Sequence, residues 1–186
     1  MLVISAHADT GFHAHALTHR ADGVIQGHLD NFAGVQAVMQ AYFSGRLAGG
    51  QVRIELTYGE EIDFAGAYDV LETLKPDDTV LVVDVTGAPT ERDFTIEKCK
   101  LPAMQAYVRG ALGDLAYALY EGCPDPLSDL DEVEVYSQRC PRICFVGVPV
   151  FGGDYNAGQV LCRPESITAV TEALCRLAEA YTRPKT

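Results

Sequence analysis

The sequence predicts an α/β protein: a mostly parallel, mixed sheet with helices on both faces, three layers in all. Three observations lead there. Apolar runs of strand length alternate along the chain with stretches whose apolar residues recur at helical spacing. Two of the strand runs, TVLVVDV (79–85) and ICFVGVPV (143–150), are apolar along nearly their whole length, the pattern of strands covered on both sides. The chain has 186 residues, 48% of them apolar, which suffices for a buried core without disulfide support.

The elements follow in order. LVISA (2–6) is the first strand. The chain is apolar from its start and shows no basic leader region, so a cytoplasmic location is the expectation. In DNFAGVQAVMQAYFSGRL, residues Phe32, Val35, Met39 and Tyr42 share one helical face, and Asp30 or Asn31 can cap the N-terminus. QVRIELTY (51–58) alternates as a strand does. DFAGAYDVLETLKPDD aligns Ala67, Val70, Leu71 and Leu74, and Pro76 ends the run. After TVLVVDV comes a short strand around FTIEKC (94–99). PAMQAYVRGALGDLAYALYEG (102–122) begins with Pro and ends near Gly, as a helix does. Residues 122–131, rich in Pro and Asp, read as an exposed loop, and EVEVY (132–136) as a strand. ICFVGVPV follows, and then a last helix that aligns Ile167, Val170, Leu174, Leu177 and Tyr181. No repeat, low-complexity stretch or linker interrupts this order, so residues 1–186 are read as a single domain.

Composition narrows the partners. The formal net charge is −12, from 26 acidic against 14 basic residues. Such a surface repels phosphate backbones and attracts cations, so no nucleic-acid partner is expected. The longest apolar stretches run to about six residues, against about twenty for a membrane span, so no membrane partner is expected either. Six cysteines (Cys99, Cys123, Cys140, Cys144, Cys162, Cys175) are spread along the chain and read as reduced thiols. Cys140 and Cys144 have no second Cys/His pair at zinc-finger spacing.

The chemistry lies at the strand ends, where ligands bind in sheets of this kind. LVISA runs into His7-Ala8-Asp9. QVRIELTY is followed, after one Gly, by Glu60-Glu61. Asp84 stands at the end of TVLVV, Asp30 before the first helix, and Asp154 in FGGDYN after the last long strand. Taken singly, each has a plain structural role: a hydrogen-bonded core histidine, a helix cap, a polar turn. Together, carboxylates and imidazole converging on one sheet edge oppose folding unless a cation neutralises them. Mixed imidazole and carboxylate donors suit zinc, and also manganese or cobalt. One glutamate of the pair can then bind a metal while its neighbour takes a proton from water.

SAHADT, GHLDNFAGV, YGEEIDFAGA and LVVDVTGAP resemble the ordered motifs of the two-metal zinc aminopeptidases, of the glutamyl-aminopeptidase-like and leucyl-aminopeptidase-like families. His7 and Asp30 are 23 residues apart, Asp30 and Glu60 are 30 apart, and Glu61 and Asp84 are 23 apart, close to the compact members. The resemblance is specific over residues 2–90 and weaker beyond. It implies a metallopeptidase-like catalytic domain whose metal would be one or two divalent ions, zinc first, with cobalt or manganese as alternatives. His7 and Asp84 would bind one ion, Asp30 would bridge, Glu61 would bind the second, Glu60 would be the general base, and Asp9 would orient His7. The family's late histidine has no counterpart, since all five histidines lie within the first 28 residues. Asp154, 70 residues after Asp84, is the nearest substitute by position and context. No insert domain fits between residues 7 and 30.

The implied substrate is a small peptide with a free N-terminus or an acylated amino acid. Two other readings stand beside it: a non-catalytic or single-metal relative that binds a metal or small ligand, and a plain interaction domain. In GFHAHALTHR (11–20), His15 and His19 can bind a metal if the stretch is helical, and otherwise form an exposed loop; His13 and His28 are further candidates to complete a second ion's site. A homo-oligomer is also possible, with a partner covering an open sheet edge.

Overall fold

A computed structural model describes residues 1–14, 16–47, 49–128 and 130–183. Four consecutive strands of the sheet run parallel: β1 (Leu2–His7), β4 (Val52–Thr57), β5 (Thr79–Thr86) and β8 (Arg142–Phe151). A hairpin of β2 (Leu17–His19) and β3 (Ile25–Gly27) joins them through β9 (Val160–Cys162), giving the order β2-β3-β9-β8-β5-β1-β4. Strand β6 (Phe94–Glu97) pairs antiparallel with β8 and parallel with β7 (Tyr117–Leu119). The sheet is therefore mixed with a parallel centre, as the apolar runs predict.

The two faces carry separate cores. On one face, Leu2, Ile4, Leu81, Val83, Val146 and Val148 pack under α1 (Phe32–Phe43), α3 (Pro102–Leu112) and α5 (Pro164–Thr182). On the other, Val3, Val80, Val82 and Phe145 pack under α2 (Ala65–Thr73) and α4 (Glu132–Tyr136). Successive residues of a strand point to opposite faces, so β1 and β5 feed both cores at once. Each fully buried Leu, Ile or Val contributes about 1.5–3 kcal/mol by leaving water. Among the described residues no helix is long and apolar enough to cross a membrane.

Several expectations are corrected. EVEVY is helix α4, because Asp131 and Glu134 form a capping box that closes its first turn. The predicted 102–122 helix stops at Gly113, whose φ of 58° breaks it, and β7 follows. Helix α1 does not bury Phe32 and Tyr42, which are exposed. It buries Ala33, Gly34, Ala37, Val38 and Ala41, small side chains that let it lie close to the sheet and α5. The 11–20 stretch is not helical where described: His19 is an exposed residue of β2, and His15 lies outside the described residues. Where described, segment 122–131 is a loop, but a pinned one. The Asp125 carboxylate accepts from the Gly87 N–H (2.7 Å), the Tyr155 hydroxyl (2.8 Å) and the Thr86 hydroxyl (3.3 Å).

Candidate metal centre

The period of two sets the site. Val3, Ser5 and His7 point to the same face of β1, and Val80, Val82 and Asp84 to the same face of neighbouring β5. At the carboxyl edge this brings Nε2 of His7 to 3.2 Å from Oδ2 of Asp84. The same nitrogen lies 3.1 Å from Oδ1 of Asp30. All three residues are buried.

Asp30 is held through its neighbour, to which it is joined by a cis peptide. Asn31 donates from Nδ2 to the Val83 carbonyl (2.8 Å) and accepts the Gly34 N–H at Oδ1 (3.0 Å). Asn31 is thus the cap of α1, and it ties the helix to β5 beside Asp84. A Cβ at position 34 would lie 2.1 Å from the Asn31 Oδ1, so only glycine fits there.

Glu60 and Glu61 sit on the turn after β4. Gly59, with φ of 74°, turns its carbonyl to accept the N–H groups of Asp63 (2.9 Å) and Phe64 (2.6 Å). Glu61 accepts the Gly11 N–H from the loop after β1. His7, Glu60 and Glu61 form a second group whose donor atoms lie within 4.8 Å of one another, beside the His7, Asp30 and Asp84 group.

The electrostatics show a site short of positive charge. Burial pushes Glu60 up to about 8; His7 opposes this, and Asp84, Asp30 and Glu61 add to it. Burial likewise raises Asp84 to about 7, against the pull of His7. Burial disfavours the His7 imidazolium, yet Asp84 and Asp30 outweigh it and hold the ring well above its usual range. Without another cation, His7 is the charge that balances the cluster.

The other expected residues fare differently. Asp9 comes within 3.4 Å of the His7 Nδ1, but the two atoms are misaligned for a hydrogen bond, and both are buried with no such partner. Asp154 is exposed and accepts from the N–H and side chain of Asn156; it belongs to neither group. His13 is exposed, and the His28 ring lies tilted against Phe12 and accepts the Ala16 N–H (3.3 Å). His7 is the one histidine of either group among the described residues.

Four neighbours escaped the sequence reading. A cavity of about 40 Å³ opens beside Asp30, Glu60 and Asp84 and is walled by Glu97, Asp125 and Tyr155. Glu97 is buried on β6 and raised to about 7 by that burial, against hydrogen bonds from Thr95 and Thr86. Its signal was an acid inside a short apolar strand. Below His7, buried Glu132 of α4 accepts from the hydroxyls of Ser5 (2.7 Å) and Thr57, so the strand ends are tied to the α4 layer.

No protein family and no curated protein matches the chain by sequence. Solved structures do match by fold. PhTET1-12s, a dodecamer in its asymmetric unit, superposes with a TM-score of 0.72 at 13% identity, over 88% of this chain and 53% of its own. An M18-family aminopeptidase from Thermotoga maritima gives 0.68 at 14% identity, over 88% and 48%. The chain is aminopeptidase-like in fold. Yeast aminopeptidase 1 gives 0.62 at 10% identity, over 89% and 49%. The chain thus spans about half the length of the aminopeptidase structures it matches.

Proposed function

We propose that the protein is a metal-dependent hydrolase of amide bonds, acting on a small peptide with a free N-terminus or on an acylated amino acid. The observation that carries the reading is the placement of Asp30 and Asp84 against the same nitrogen of His7, with Glu60 and Glu61 beside them. The fit to a metal is a matter of donor chemistry and spacing. Zinc bound at about 2.0–2.1 Å in a tetrahedron sets its donor atoms about 3.3 Å apart. The His7 Nε2 lies 3.1 and 3.2 Å from its two carboxylate oxygens. Zinc is the first expectation, with manganese and cobalt compatible with the same donors.

In this reading His7 and Asp84 would hold one ion, Glu61 would hold a second, and Asp30 would serve both. A bound divalent ion supplies an acidified water and polarises the scissile carbonyl. Glu60, in the same group but left off the ion, takes the proton from the attacking water and returns it to the leaving amine. Asp30 and Asp84 stay fixed by the Asn31 clamp and strand β5, so little reorganisation accompanies the reaction. The acidic rim attracts the ammonium group of a peptide N-terminus. All six cysteines are unpaired thiols, which supports a reducing, cytoplasmic setting.

A single-ion, ligand-binding role is favoured by one observation: Asp154 is exposed and leaves the second position with fewer donors. The test is turnover of aminoacyl and N-acyl-amino-acid substrates after loading with zinc, manganese or cobalt. Turnover that vanishes in Glu60→Gln while the metal stays bound supports the hydrolase; bound metal with no turnover across the panel supports the binding role.

A further inference from the structure

Strand β4 ends the sheet, and among the described residues it pairs with β1 alone. Its inner side is identified by two bonds: the Gln51 carbonyl accepts from the Leu2 N–H (2.8 Å), and the Thr57 carbonyl from the Ala8 N–H (2.9 Å). Odd-numbered residues therefore turn their main-chain groups toward β1, and Val52, Ile54 and Leu56 turn theirs outward. An edge of this kind is a template for another strand. One face of the strand is apolar along its length. Leu56 and Tyr58 are 45% and 56% exposed and continue the apolar line of Val52 and Ile54.

The order of residues 52–56, Val-Arg-Ile-Glu-Leu, is complementary to its own reverse. We propose that two copies of this chain join β4 to β4 in antiparallel register, centred on Ile54, to make one sheet across the pair. In that register Ile54 faces Ile54 of the other copy, Val52 faces Leu56, and Arg53 faces Glu55, twice over. The centre falls on a residue whose N–H and carbonyl both point outward, as a hydrogen-bonded antiparallel pair requires. Arg53 and Glu55 then occupy the closer, non-hydrogen-bonded positions, where opposite charges attract. Centring on Val52 or Leu56 instead leaves both charges opposite uncharged residues. Within one copy Arg53 Nε already lies 2.8 Å from Glu55, each side chain about 30% exposed, so both charges are in place to be shared. This twofold match of charge and shape is what selects a second copy over an unrelated strand. The proposal does not depend on the metal reading.

The experiment is sedimentation of the full chain across a range of concentrations, with circular dichroism to confirm that each variant is folded. Wild type should dimerise. Arg53→Glu and Glu55→Arg should each weaken the dimer tenfold or more, since each sets like charges across the seam. Mixing the two single variants should restore a heterodimer, and the double exchange R53E/E55R should restore a homodimer. Leu56→Lys, at an exposed side chain, should weaken the dimer even if a charge reversal fails to fold. A wild-type monomer at every concentration would overturn the proposal. So would a dimer indifferent to Leu56→Lys and to the charge reversals.

Discussion

His7 and Asp84 meet at 3.2 Å because two neighbouring parallel strands, β1 and β5, end at the same edge and point these residues to the same face. Neither side chain reaches across a loop to do so. The pair is as rigid as the sheet, and Asp30 is added to it by the Asn31 clamp. Removing any of the three leaves the others buried with their charge balance broken.

Glu60→Gln removes the proposed proton acceptor and leaves His7, Asp30 and Asp84 untouched. Metal content should stay at the wild-type level, while turnover of any substrate falls by about a hundredfold or more. Elemental analysis and initial rates on the same preparation check both halves; retained turnover would rule out Glu60 as the base.

Asp154→Ala should change almost nothing. The side chain is exposed and, among the described residues, bonds only within its own turn, to Asn156. Stability should stay within about 0.5 kcal/mol of wild type. Metal affinity, followed by titration, should be equal in the two proteins; a loss of bound ion would make Asp154 a ligand after all.

Gly34→Ala tests the clamp. The added Cβ would fall 2.1 Å from the Asn31 Oδ1 and push the cap aside. Loss of the cap should cost about 1 kcal/mol in thermal melts. Metal affinity should drop as well, because Asn31 holds Asp30 in place. Weaker melting with unchanged affinity would separate the cap from the site.

Glu97 makes a pH prediction. Its carboxyl rises from 4.5 in the reference state to about 7 in the folded protein, chiefly by burial. The folded state therefore holds the proton more tightly than the unfolded one. The resulting penalty is absent below about pH 4.5, grows as pH rises, and is complete above about pH 7, reaching about 3 kcal/mol. Glu97→Gln should melt at nearly the wild-type temperature near pH 4.5 and above it at pH 8. A difference that stays flat with pH would contradict this account of Glu97.

Much of this architecture is legible in the chain because its strongest signals come from burial. Strands β1, β5 and β8 are buried nearly throughout and read as apolar runs. The residues of the cluster are legible for the same reason: acids and a histidine directly after such runs have no simple reason to be there. What stays hidden depends on local bonds that hydrophobic pattern does not encode. Glu-Val-Glu-Val-Tyr alternates like a strand, and only the Asp131–Glu134 capping box makes it a helix. The β2–β3 hairpin was missed because Leu17, Thr18 and His19 are all exposed and carry no alternation. Phe32 and Tyr42 suggested the wrong face of α1, because close approach to the sheet favours Ala33, Ala37 and Ala41 over bulk. Asp154 matched by order and distance along the chain, but its turn directs it into solvent.

The central claim is that His7, Asp30 and Asp84 bind a divalent ion. The most direct measurement is elemental analysis of the full chain after incubation with zinc or manganese and exhaustive dialysis, with His7→Ala in parallel. The account predicts stoichiometric metal in the wild type and its loss in the folded variant. A wild-type protein that retains no metal, or a variant that retains as much, would contradict it.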